Sequence, residues 1–205
     1  VTLLQADAPR LILASQSTSR HALLTAAGLV FDCVPARVDE DAVKQAARAE
    51  DASPEEAALL LASLKAERVA RTHPDAVVIG ADQILVCDGA WFDKPADIAA
   101  AETHLRRLRG LTHTLVTAVI CQRGPTPLWQ HVAMPRLTMR GFSDAFLADY
   151  LAAEGEALLS SVGAYRLEGL GVHLFERIEG EHAAILGLPL LALFGFLRQH
   201  GVLAS

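Results

Sequence analysis

Cysteine is scarce in this chain of 205 residues: Cys33, Cys87 and Cys121 are odd in number and far apart. Such a set supplies neither a disulfide framework nor paired zinc ligands, so the expectation is buried thiols in a reducing compartment. None sits in an electropositive stretch that would mark a nucleophile. The eight histidines contain no H-E-x-x-H or comparable spacing, which argues against a dedicated zinc site. Walker A and G-x-G-x-x-G motifs are both missing. Excess positive charge is missing too. At a formal net charge of -6 there is no overall field for sequence-independent binding to nucleic acid, and any phosphate must meet a local cluster of cations. The segment VTLLQADAPR lacks the charged start and long apolar run of a secretory signal. The most apolar tract, Ala183 to Leu197, is broken by Gly187, Pro189 and Gly195 and is shorter than the ~20 residues that span a bilayer. It reads as a buried helix, and the expectation is a cytoplasmic protein without a membrane partner.

What is present is a hydrophobic content of 52%, enough for a full core in a single domain over residues 1–205. LILA at Leu11 to Ala14 reads as a buried strand feeding a helix from Thr18 to Gly28, with a second short strand near Phe31 to Val34. Val38, Asp39, Glu40 and Asp41 read as a charged loop. Ser53 and Pro54, followed by Glu55 and Glu56, mark the start of a helix running to about Thr72. AVVIGADQILVC has β-branched residues on both faces, as a central strand would, and Asp88-Gly89 turns it. A helix follows from Asp97 to Leu108, then a hairpin of Thr112–Cys121 with Leu128–Met139 across RGPTP. A helix from Ser143 to Ala153, a glycine-punctuated stretch, the strand VHLFERI and the apolar C-terminal helix complete an α/β fold with a mixed sheet.

Several residues are hard to explain by packing alone. Ser15, Ser17, Thr18, Ser19 and Arg20 crowd hydroxyls and a guanidinium at a helix N-terminus, an arrangement that binds phosphate but also suits an ordinary N-cap. Lys65, with Leu61 and Val69 one turn away on either side, puts an ammonium on an apolar helix face, where it either meets an anion or snorkels from the edge of the stripe. Asp82 shares its strand face with Val78, Gly80, Ile84 and Val86, where a carboxylate is costly unless paired or metal-bound, and Lys65 is an eligible partner. Lys94 precedes Pro95, whose restraint of the backbone suits aiming the ammonium across a cleft, although taken alone it reads as a solvated loop lysine. Asp39, Glu40 and Asp41 offer oxygen ligands for a hard divalent ion, although ordinary helix-leading acids look the same in sequence. Three cations with two acidic positions are the parts needed to handle a polyphosphate with Mg²⁺.

LILASQSTSR, the VDE at Val38 to Glu40, Lys65-Ala66, VIGADQ, Lys94-Pro95, SVGAYRLEGLG and GLPL at Gly187 to Leu190 together resemble the Maf family of nucleoside triphosphate pyrophosphatases, from Leu11 to Leu197. The resemblance implies two lobes around a deep cleft, a homodimer, and cleavage between the α- and β-phosphates with a divalent cation, Mg²⁺ or Mn²⁺. It implies phosphate contacts from Ser15, Ser17, Ser19, Arg20, Lys65 and Lys94, metal held by Glu40 and Asp82, and Asp82 as general base or metal ligand. Ser19 stands where the family pattern has an arginine. Gln83 and Glu168 replace the threonine and glutamine usual in pyrimidine-selective members and resemble the branch acting on 7-methyl-GTP. A carboxylate at 168 can accept the paired N1–H and amine of that cationic base. Pyrimidine triphosphates, or a non-catalytic regulator of cell division, are the competing readings.

Overall fold

The computed structural model describes residues 4–204; Val1, Thr2, Leu3 and Ser205, which include the start of the N-terminal segment and the ends of the expected domain, lie outside the described residues. The elements in chain order are β1 (Leu11–Leu13), α1 (Thr18–Ala26), β2 (Asp32–Cys33), α2 (Glu40–Ala49), α3 (Pro54–Ala70), β3 (Val77–Cys87) and β4 (Ala90–Phe92). They continue with α4 (Ile98–Leu108), β5 (Thr112–Arg123), β6 (Thr126–Ala133), β7 (Arg136–Met139), α5 (Asp144–Glu154), β8 (Phe175–Glu179), α6 (His182–Ile185) and α7 (Leu190–Gln199). The eight strands form one mixed sheet in the order β2-β1-β3-β5-β7-β8, with β4 on β3 and β6 on β5. β1 pairs parallel with both β2 and β3, while the β3–β4, β5–β6, β5–β7 and β7–β8 pairs are antiparallel. The α/β class with a mixed sheet and flanking helices is therefore observed.

Residues cluster into two compact units, matching in number the two lobes that the resemblance implies. Of the described residues, one unit takes in those of 4–82, 117–133 and 181–204, and the other those of 83–116 and 134–180. In the first, Leu11 and Leu13 of β1, Val77, Ile79 and Ala81 of β3 and Leu193, Phe196 and Leu197 of α7 share one buried cluster. The alternate residues Val78, Gly80 and Asp82 point to the opposite face of β3, toward α3. Gly80 makes that approach close: a Cβ there would lie 2.2 Å from the Ala62 carbonyl oxygen and 2.8 Å from the Ala66 Cβ. In the second unit, β4, α4, β7, α5 and β8 accompany the outer parts of β3 and β5, with a buried set that includes Phe92, Leu105, Leu137, Tyr165 and Leu174.

Several expectations need correction. Asp39, Glu40 and Asp41 are not a loop: Asp39 caps α2 by accepting the Ala42 N–H at 3.0 Å, and Glu40 and Asp41 fill the first turn, where the helix dipole favours acids. The second arm of the hairpin splits into β6 and β7 at Pro135, which cannot donate to a ladder. VHLFERI is only half strand, since residues 170–174 form a 3-10 turn before β8. The apolar C-terminal tract is two helices, α6 and α7, interrupted at Gly187, whose φ is +101°. Cys33 is exposed, while Cys87 and Cys121 are buried. Among the described residues, no helix is long and apolar enough to cross a membrane.

Candidate functional site

Four of the expected side chains meet in the first unit. α3 begins with a complete capping box: the Glu56 carboxylate accepts the Ser53 N–H at 2.8 Å, and the Ser53 hydroxyl accepts the Glu56 N–H at 3.2 Å. Three turns later the helix presents Lys65 toward β3. Its ammonium lies 2.7 Å from Asp82 Oδ1 and 2.6 Å from Glu40 Oε1. The Lys65 and Asp82 side chains are 9% and 4% exposed, so each charge would be costly without the other. Among the described residues, Asp82 Oδ2 is buried with no hydrogen-bond partner, an acceptor left over from the pair.

Arg20 reaches the same cluster from α1. Ser17 caps that helix, its hydroxyl accepting the Arg20 N–H at 3.3 Å, while the Ser15 hydroxyl accepts the Ser17 N–H at 3.1 Å. The guanidinium is held at its base: Nε donates to the Gly187 carbonyl at 2.8 Å, and Nη1 lies 3.4 Å from the Ser15 hydroxyl. Burial draws Arg20 below its ordinary pKa, while the charges of Asp82 and Glu40 oppose that shift. The helix N-terminus, its hydroxyls and a guanidinium thus share one neighbourhood with the ammonium and both acids. Ser19 lies half-buried on α1, next to Arg20.

Gly187 was not among the expected site residues. Its left-handed φ turns a carbonyl onto Arg20, and a Cβ would sit 3.1 Å from the Arg20 Nε. The glycine between apolar residues in GLPL was the available signal. Gly80 was likewise missed as a spacer, although an isolated glycine within a strand marks close backbone approach.

Among the described residues, no group of three or more His, Cys, Asp or Glu side chains is gathered to hold a metal. Glu40 and Asp82 are two carboxylates that the structure brings together, both on the Lys65 ammonium. Two hard carboxylates, with one oxygen lacking a partner, fit an ion such as Mg²⁺ or Mn²⁺ that takes few protein ligands and fills its shell with water and phosphate oxygens. They do not fit a closed zinc site.

The remaining expected residues belong to the second unit. Gln83 is half-buried on β3, and Lys94 is exposed between β4 and α4 with Pro95 buried beside it. Glu168 is exposed rather than buried, and its Oε1 lies 3.7 Å from Arg166 Nε. Glu168 lies in the turn that leads into the 3-10 turn at residues 170–174. Glu154 fixes that turn, accepting the Leu170 N–H at 3.1 Å while its other oxygen lies 3.8 Å from Arg166. Deeper in the unit, His113 shares a 2.7 Å hydrogen bond with the Tyr165 hydroxyl and packs on Phe175. Burial pushes the His113 pKa down to about 4 and raises that of Tyr165.

The family model described as "Maf-like protein" matches residues 10–200. The nucleoside triphosphate pyrophosphatase of Granulibacter bethesdensis is 58% identical over 95% of this chain and 98% of its own. That of Rhodospirillum rubrum is 50% identical over 96% and 98%. A 7-methyl-GTP pyrophosphatase of Rhizobium etli is 48% identical over 95% and 98%. With both the ordered motifs and nearly the whole length matched, the chain belongs to the Maf family.

Proposed function

We propose that this protein is a nucleoside triphosphate pyrophosphatase, hydrolysing the α–β phosphoanhydride to a nucleoside monophosphate and pyrophosphate. The observation that carries the reading is the buried Lys65–Asp82 pair joined by Glu40, with Asp82 Oδ2 left as an unused acceptor and Arg20 within electrostatic reach of both acids. A purely structural salt bridge needs neither the second acid nor the leftover oxygen. The high identity to relatives named for this activity supports the same reading.

In the reaction, water attacks the α-phosphorus, the bond to the bridging oxygen breaks, and pyrophosphate leaves. Asp82 takes the proton of the water, since it alone of the two acids combines deep burial with an acceptor lacking a partner. Arg20, Lys65 and Lys94 bind phosphate oxygens, and the N-terminus of α1 adds backbone donors. A divalent ion, Mg²⁺ or Mn²⁺, held by Glu40 and Asp82 would supply further neutralisation of the phosphate charge.

For substrate we favour 7-methyl-GTP, with Glu168 and Gln83 reading the base, in an enzyme that clears non-canonical nucleotides as a cytoplasmic homodimer. Two relatives carry that substrate in their names, at 48% and 47% identity. The test is pyrophosphate release from 7-methyl-GTP, GTP, dTTP and UTP, with and without Mg²⁺ or Mn²⁺. Highest kcat/KM for 7-methyl-GTP is expected. A preference for dTTP or UTP refutes the base assignment, and no release from any of the four refutes the enzyme.

A further inference from the structure

The two acids assigned to the divalent ion are already served by one cation. Lys65 Nζ is within hydrogen-bond distance of both Glu40 Oε1, at 2.6 Å, and Asp82 Oδ1, at 2.7 Å. Arg20 adds a second positive charge within electrostatic reach of the same acids. Two cations beside two carboxylates leave the cluster without net negative charge. A divalent ion arriving alone would meet an ammonium in contact with its own ligands, in a setting where solvent screens poorly. A triphosphate reverses the balance, because its oxygens compete with the carboxylates for the ammonium.

We infer that Lys65 is an exchangeable counter-cation, holding Glu40 and Asp82 until a polyphosphate draws the ammonium onto itself, so that the divalent ion and the nucleotide bind together and the ion alone binds poorly. The inference rests on the pyrophosphatase reading. The reach of a lysine side chain suits it to the exchange: four methylenes on a rigid helix allow the ammonium to change partners without moving α3. Coupling of this kind is reciprocal, so the ion must strengthen nucleotide binding by the same factor that the nucleotide strengthens binding of the ion.

Mn²⁺ binding to the full chain, followed by the electron paramagnetic resonance of the free ion, tests this without turnover. Wild type should bind Mn²⁺ weakly alone. With an α,β-methylene triphosphate, and after correction for ion bound by the analogue itself, its affinity should rise roughly tenfold or more. Lys65→Met alone should bind Mn²⁺ roughly tenfold more tightly than wild type, and Lys65→Arg should return to weak binding. Equal or weaker binding by Lys65→Met overturns the inference. If that variant folds poorly, its rise in Tm on adding Mn²⁺ gives the same information: a larger rise than in wild type supports the inference, and an equal or smaller one overturns it. Combining Lys65→Met with Asp82→Asn separates the two readings. Loss of Mn²⁺ binding in the double variant places the ion on the acid pair and supports the exchange. Tight binding that survives Asp82→Asn puts the ion elsewhere and removes the metal assignment along with the inference.

Discussion

Replacing Gly80 with alanine would set a methyl carbon 2.2 Å from the Ala62 carbonyl oxygen and 2.8 Å from both the Ala66 Cβ and N. Two of those three atoms are backbone, so no rotamer change relieves the clash. Restoring ordinary contact requires α3 and β3 to separate by about 1 Å, an overpacking strain that costs ~3 kcal/mol. For a chain of this size that lowers Tm by about 6–12 °C. Lys65 lies between Ala62 and Ala66 on the displaced helix, and Asp82 is two residues beyond Gly80 on the same strand face. Disturbing this geometry by about 1 Å is expected to reduce kcat by up to ~10²-fold. Urea unfolding and steady-state pyrophosphate release measured on the same preparation provide the assay. A Gly80→Ala protein within ~0.5 kcal/mol of wild type and with unchanged kcat would show that close helix–strand contact does not set the Lys65–Asp82 pair.

Further outcomes are expected. Asp82→Asn should fold and lose ~10²-fold or more in turnover, measured as pyrophosphate release at saturating nucleotide; near-normal turnover removes it as base. Arg20→Lys loses the Nε bond to Gly187 and the planar fork, and should raise KM by about tenfold in the same assay. Because Glu168 is exposed and beside Arg166, Glu168→Gln should narrow the kcat/KM gap between 7-methyl-GTP and dTTP by only about tenfold, the low end for a charged hydrogen bond. His113, held neutral by burial with a pKa of about 4 against an ordinary 6.5, makes the unfolded chain the better proton binder between those values. Stability should therefore fall as pH drops from 6.5 to 4, by up to ~3 kcal/mol, and His113→Gln should flatten that part of a urea-unfolding pH series.

What the sequence disclosed depended on whether its signal was local. The capping residues Ser53, Pro54 and Glu56 announce α3 because an N-cap is built from neighbours in sequence. Lys65 and Asp82 stood out since each interrupts an apolar face, and a charge there demands a partner; the structure pairs them. Glu40 joining them was not legible as a contact, because no periodicity ties a helix start to a side chain on the next helix. The start of α2 was lost for a different reason: Asp39-Glu40-Asp41 serves equally as a solvated loop or as a cap and first turn. Gly187 contributes a backbone carbonyl, and an atom common to all residues leaves no mark on composition. The exposure of Glu168 was not legible, because its turn is tied by Glu154 to the Leu170 N–H, a contact between residues distant in sequence.

The division of the chain also governs the order in which the protein can be made. Its first unit is assembled from three separate stretches, and the cluster around Leu11 and Leu13 includes Leu193, Phe196 and Leu197 of α7. During synthesis β1 emerges early and β3 follows, but the α7 side of their cluster emerges about 180 residues after β1. Until then the apolar strand and the charges at positions 20, 40, 65 and 82 lack the Gly187 carbonyl and α7. The last step in folding of this unit therefore waits for α6 and α7, and a ribosome stalled before α6 should carry a chain whose first unit remains open to protease.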